Sequence, residues 1–194
     1  GLEASIRFSS SSVRALLNAA VEGVGIAPLP AYAARNELAL TPADADFLML
    51  RDASLRGEIA QAGRIADRLS NYPIASYVEY YRLYPRLISA PEGEIRAFMD
   101  KYAGTAIADR LRNDWLLLLG HARIWRTFDE QYPLFTLNDD TQVKCYALLS
   151  RVNKHENVAK QARDLLLQPN QYGVACADLI INLYKEKYFK ADDV

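Results

Sequence analysis

The sequence predicts an all-α protein, a superhelix of helical hairpins (an α-solenoid), behind an irregular N-terminal appendage. Three observations predict it. From Thr41-Pro42 to Lys190 nearly every segment carries apolar residues at helical spacing, and no two segments alternate as paired strands do. Helix breakers recur at intervals of roughly 15 residues, so helix pairs recur at roughly 30, the spacing of helical-hairpin arrays. The chain of 194 residues is 51% hydrophobic, which excludes global disorder. One hairpin cannot bury its apolar face alone, whereas stacked neighbours can. The organisation read from these patterns is an appendage over 1–41 and a scaffold domain over 42–194.

In the appendage, Phe8–Ser12 is serine-rich, Val13–Val21 can form a short helix, and Gly23, Gly25, Pro28 and Pro30 interrupt it. Thr41-Pro42 reads as a helix start, with Asp44 and Asp46 near the positive end of the dipole. Phe47, Leu50 and Leu55 begin an apolar face that Gly57 stops. Ile59, Ile65 and Leu69 make the next helix, closed by Asn71-Tyr72-Pro73. Tyr77, Tyr80, Tyr81 and Tyr84 form one helical stripe, which Pro85 kinks or ends. Ile95, Phe98, Met99 and Tyr102 continue to Gly104. Leu111, Trp115, Leu118 and Leu119 follow, with Gly120 as the stop. Trp125, Phe128 and Tyr132 form a short helix ended by Pro133, and 139–152, 156–168 and 175–188 are three more. Trp115 and Trp125 sit on apolar stripes of consecutive helices and read as packing residues.

The chain offers little chemistry. Its 23 basic and 24 acidic residues leave a net charge of −1, with no basic excess to attract nucleic acid or an anionic membrane. Its apolar runs are too short to span a bilayer. His121 and His155 have no metal-ligand partner at helical spacing; each reads as a solvated residue, at a turn and at a helix start. Asn138 or Asp139 reads as the cap of the helix that follows, and Asp192-Asp193 as a terminal pair. Adjacent carboxylates on a helix point about 100° apart and make no facing acid–base pair. Gly23-Val24-Gly25 has Pro28 where a dinucleotide loop needs its third glycine. We therefore expect no catalytic residue, metal or cofactor. The tyrosine stripe is the one surface candidate: it can stack on sugar faces or pack one hairpin on the next, and its core spacing favours packing. Cys145 and Cys176 fit neither a zinc site nor a CxxC motif; they form one disulfide or remain two separate buried thiols.

Residues 44–183 resemble the superhelical, U-shaped region of soluble lytic murein transglycosylases. The segments that carry the likeness are Asp46-Phe47-Leu48-Met49-Leu50-Arg51-Asp52-Ala53, then Leu69-Ser70-Asn71-Tyr72-Pro73-Ile74, then Tyr77-Val78-Glu79-Tyr80-Tyr81-Arg82-Leu83. Further on come Ala108-Asp109-Arg110-Leu111-Arg112-Asn113-Asp114-Trp115-Leu116, and Trp125, Phe128 and Tyr132 after Gly120. No single motif is specific; their order is. The resemblance implies a scaffold for a lysozyme-like domain that cleaves the MurNAc–GlcNAc bond of peptidoglycan to a 1,6-anhydro product. That domain and the glycan strands are the implied partners, and the periplasm the implied location. The family's catalytic glutamate lies in a Glu-Ser dipeptide, which this chain lacks, so no catalytic role carries over. Cys145 and Cys176 sit where related members carry a cysteine pair. Helix order supports pairing: the intervening helix reverses direction, so the two cysteine-bearing helices run parallel as next-nearest neighbours, and the 169–174 loop must return Cys176 across their shared edge. Residues 5–39 depart from this pattern. Leu16–Tyr32, with Gly23, Gly25 and Pro28, resembles part of the effector-binding domain of LysR-type regulators, and Ala31-Tyr32-Ala33 resembles a signal-peptidase site. The alternative for the whole is a generic helical-repeat scaffold for protein partners.

Overall fold

The computed structural model describes residues 41–167 and 173–189. The expectations for 1–40, for Pro169 and for Asp192-Asp193 lie outside the described residues. Within them the chain is all-helical, with no strand. The elements are α1 (Pro42–Leu55), α2 (Ile59–Arg68), α3 (Ala75–Leu83), α4 (Glu92–Lys101) and α5 (Ala106–His121), followed by α6 (Trp125–Gln131), α7 (Thr141–Asn153), α8 (Ala159–Leu166) and α9 (Val174–Lys185). Short 3₁₀ turns at Tyr84–Arg86 and Tyr132–Leu134 follow α3 and α6, each centred on the proline that cannot continue an α-helix.

Thr41 starts α1 through a reciprocal capping box. Its hydroxyl accepts from the Asp44 N–H, and the Asp44 carboxylate accepts from the Thr41 N–H at 2.9 Å. Thr105 caps α5. The expected cap at Asn138 or Asp139 is corrected: Asp140 accepts from the Gln142 and Val143 N–H groups. Asn138 is instead held in the left-handed region, φ 41°. Its displacement has a cause one turn back in space. Buried Asp109 on α5 accepts from the Thr136 and Leu137 N–H groups at 3.0 and 2.7 Å, pinning the connection before α7.

Every substantial contact between α-helices joins helices one or two apart in the chain. α1, α3, α5, α7 and α9 pack successively on one another, and α2, α4, α6 and α8 fill the spaces between. The core is continuous, and its register is regular: Leu50, Leu83, Leu116 and Leu149 are all buried and stand 33 residues apart. The helix ends repeat too. α1, α5, α7 and α9 each close with a Schellman motif. Glu58, Ile124, Glu156 and Tyr188 donate their N–H to Ala53, Leu119, Arg151 and Leu183. The residue before each donor is left-handed: Gly57, Arg123, His155 and Lys187.

Two sequence expectations fail at these ends. Gly120 does not stop its helix; α5 runs on to His121. And His155 does not open a helix but closes α7. Gly57 does the job expected of a glycine stop, and Gly104 is left-handed in the turn after α4. Cys145 and Cys176, both fully buried, form a disulfide with Cα atoms 5.0 Å apart. α7 and α9 are direct neighbours rather than next-nearest ones, because the short α8 lies to the side.

Candidate functional site

The tyrosine stripe lies on α3 where it packs between α1 and α5. Tyr80 and Tyr81 are buried, and Tyr77 and Tyr84 half-buried. Tyr81 meets the Phe47 ring edge-on at 5.8 Å, and Tyr80 meets Tyr81 and Tyr84 at 5.1 and 5.6 Å. The Tyr80 hydroxyl donates to Asp114 Oδ2 at 2.7 Å, and Arg110 lies 5.6 Å from the Tyr80 ring centre. Burial holds the Asp114 carboxyl above the usual carboxylate range, and burial together with Asp114 pushes the Tyr80 phenol far up. A phenol in this setting stays protonated and acts as a donor. Tyr80 and Tyr81 thus join hairpins and present no ring face to a glycan.

Trp115 is buried on α5, as expected, with Arg96 5.6 Å from its ring centre. Trp125 also packs against the core, as expected, but less completely. It is half-buried at the start of α6 and lines a surface cleft of about 330 Å³. Its ring meets Phe128 edge-on at 6.0 Å, which anchors one side. Leu149 and Val152 of α7 lie beneath the cleft, both almost fully buried. Asn153, His155, Asn182 and Glu186 supply its polar rim, from the last turns of α7 and α9. Arg123 lines it as well: its guanidinium lies 5.6 Å from the Trp125 ring centre and is bound to Asp178 at 2.8 Å. His155 Nδ1 stands 4.0 Å from Glu186.

A second cleft, about 210 Å³, opens between α3 and α4, lined by Glu79, Arg86, Glu94 and Lys101 among others. Its charges are satisfied by one another. Lys101 binds Glu79 at 2.6 Å, and Arg86 binds Glu94. It offers a ligand little that is not already committed.

Among the described residues no His, Cys, Asp and Glu group is arranged to hold a metal ion, and no helix is long and apolar enough to cross a membrane. His121 is exposed at the end of α5. The cleft around Trp125 was missed in sequence because its parts read singly as core or surface. The repeat could have found it: Leu149 and Asn182 are 33 residues apart, as are Asn153 and Glu186. They are equivalent positions on α7 and α9. No protein-family model, curated protein or solved structure matches the chain.

Proposed function

We propose that this chain is the non-catalytic superhelical scaffold region of a soluble lytic murein transglycosylase. In this reading it supports a lysozyme-like domain as that domain cleaves peptidoglycan glycan strands in the periplasm. The observation that carries the reading is the packing order. Substantial contacts between α-helices that are one or two apart, with a recurring buried leucine and a recurring cap, favour an open curved array over a closed bundle. The order of the motifs over residues 44–183 supports the family. The Cys145–Cys176 disulfide is compatible with an oxidising, extracytoplasmic compartment.

One observation favours the alternative, a helical-repeat scaffold for protein partners. The outer face of α9 exposes Val174, Ile181 and Tyr184 along one stripe, the kind of surface a partner helix covers. Parallel pulldowns decide between the two. The chain should be retained on purified sacculi and should release no soluble anhydro-muropeptide from them. Capture of a protein partner with no retention on sacculi would replace the first reading with the second.

A further inference from the structure

We propose that the outer face of α9 is a docking surface for an amphipathic α-helix of a partner protein. That helix lies parallel to α9 and presents a face like the one α9 presents to α7. The inference goes beyond both scaffold readings: it names the contact and the chemistry of what docks there, and it needs only the order of the array.

The face is built like a covered one. Val174, Ala177, Ile181 and Tyr184 stand at i, i+3, i+7 and i+10, one line along α9, and no charged residue falls in it. Val174, Ile181 and Tyr184 are 62, 50 and 60% exposed, and Ala177 is exposed with them. Cys176, Leu179 and Leu183 repeat the same spacing on the opposite side and are fully buried. α9 is thus apolar on two faces, and only one has a neighbour. Among the described residues its substantial helix contacts are with α7 and the flanking α8. The last helix of an array needs a polar outer face if water is to cover it. Single exposed apolar residues are ordinary, whereas a contiguous line of them marks a contact.

α7 shows what covers such a line. The leucine step of 33 stops at Leu149, and the helix ends give the step from α7 to α9. Left-handed His155 and Lys187 are 32 residues apart, as are the Schellman donors Glu156 and Tyr188. Counted from those ends, Val174, Ala177 and Tyr184 hold the places of Gln142, Cys145 and Val152 on α7. Those places are covered by α9. Cys145 is bonded to Cys176, a Cβ built on Gly173 at the start of α9 would meet the Gln142 side chain, and Val152 is buried. Another side of α7 is turned to α5, with Tyr146 against Gly120. α7 is therefore covered by a helix on each side and α9 on one.

The chemistry of the occupant follows. The helix that seats on α7 has small residues, Ala175 and Cys176, in its first turn and leucines, Leu179 and Leu183, in later ones. The same kind of face suits α9: small side chains beside Val174 and Ala177, leucines beside Ile181 and Tyr184. A second copy of this chain cannot offer its own α9 in this way, because that face is already buried against α7.

The test is a titration of the ¹⁵N-labelled full chain, disulfide intact, with a lactam-stapled helical peptide. The peptide carries alanine, alanine, leucine and leucine at the spacing of Ala175, Cys176, Leu179 and Leu183 and is polar elsewhere. We expect saturable shifts confined to the amides of α9 from Val174 to Tyr184. One helix pair is smaller than a standard interface of about 1,600 Å², so the affinity should be weak, on the order of 100 μM. Ile181→Asp, at an exposed position outside the core, should weaken binding about ten-fold or more with an unchanged melting temperature. Tyr184→Ala should weaken it several-fold, and a peptide with both leucines replaced by lysine should not bind. Absence of saturable shifts, shifts that map elsewhere, or full affinity in Ile181→Asp would overturn the proposal. So would a dimer of the chain alone that Ile181→Asp dissolves, since a second copy would then own the face. Retention on sacculi is a separate readout: its loss would remove the transglycosylase reading and leave this contact standing, and failure of the titration would do the reverse.

Discussion

Gly120 shows how one missing side chain sets a helix crossing. It lies in the last turn of α5, and a Cβ built there would collide with Cβ and Cγ of Tyr146 on α7. Cβ is fixed by the α7 backbone at 2.8 Å, and turning the ring away about the Cα–Cβ bond would disturb a buried side chain. Alanine in place of glycine normally gains about 1 kcal/mol of helix propensity. Here overpacking of about 1–3 kcal/mol opposes it and forces α5 and α7 apart. Gly120→Ala should therefore lower the urea midpoint, and an unchanged or raised midpoint would show that the contact is slack. Tyr80 and Asp114 give a second residue-scale test. Burial raises the folded-state pKa of Asp114 above its unfolded value, while the Tyr80 hydroxyl and Arg110 act in the opposite direction. A raised carboxyl pKa penalises the fold once pH exceeds the unfolded value, and the full cost is present above the folded one. Tyr80→Phe removes the hydroxyl that stabilises the charged form. It should cost about 1.5–3 kcal/mol at pH above the folded-state value, where the carboxylate is charged. The loss should shrink as pH falls through the raised folded-state value and should be largely gone by the unfolded carboxyl value of about 3.9. Equal losses in denaturant melts at neutral and acid pH would show that the hydroxyl serves some group other than the Asp114 charge.

At the scale of the element, helix existence was legible and helix ends were not. Apolar periodicity locates all nine described α-helices because each must bury a stripe, and Thr41-Pro42 and Pro85 act through local sterics that sequence displays. The ends of α5 and α7 are different. Arg123 and His155 take the left-handed conformation that glycine usually supplies, so no residue type marks the stop. The cap of α7 falls on Asp140 rather than its neighbours because Asp109, distant in sequence, holds the preceding backbone. The tyrosine stripe was legible as a stripe, and its burial follows from α1 and α5 on either side. The Trp125 cleft depends on three helices meeting and was legible only through the 33-residue register. The strained ends are themselves testable. His155 is exposed, with 82% of its side-chain surface open, and its Glu186 neighbour is 4.0 Å away. It therefore contributes little to offset its φ. His155→Gly should raise the melting temperature, corresponding to about 1 kcal/mol, by removing the left-handed penalty. A lower melting temperature would mean that the histidine side chain holds the α7–α9 corner.

Among the described residues, substantial packing joins helices that are near neighbours in the chain. α1 packs on α2, α3 and the 3₁₀ turn after α3, and makes no substantial contact with α7 or α9. In the solenoid proposed above, stability is a sum of local and nearest-neighbour terms, so distant parts are expected to open separately. The Cys145–Cys176 bond adds a second asymmetry. It closes a chain separation of 31 residues between α7 and α9, the most extensively packed helix pair. A loop of that size constrains the unfolded chain by about 3–4 kcal/mol. The constraint acts only on openings that free α7 from α9. Native-state hydrogen exchange should therefore find the slowest amides in these two helices in the oxidised protein, among them Leu149 and Leu179 of the buried core. Reduction and alkylation of both cysteines should lower the protection of α7 and α9 by roughly the same 3–4 kcal/mol. The amides of α1 and α2 should change far less, because no packing path shorter than α3 and α5 connects them to the broken bond. A uniform loss of protection from α1 to α9 would show a single cooperative unit and refute the row-like description of the fold.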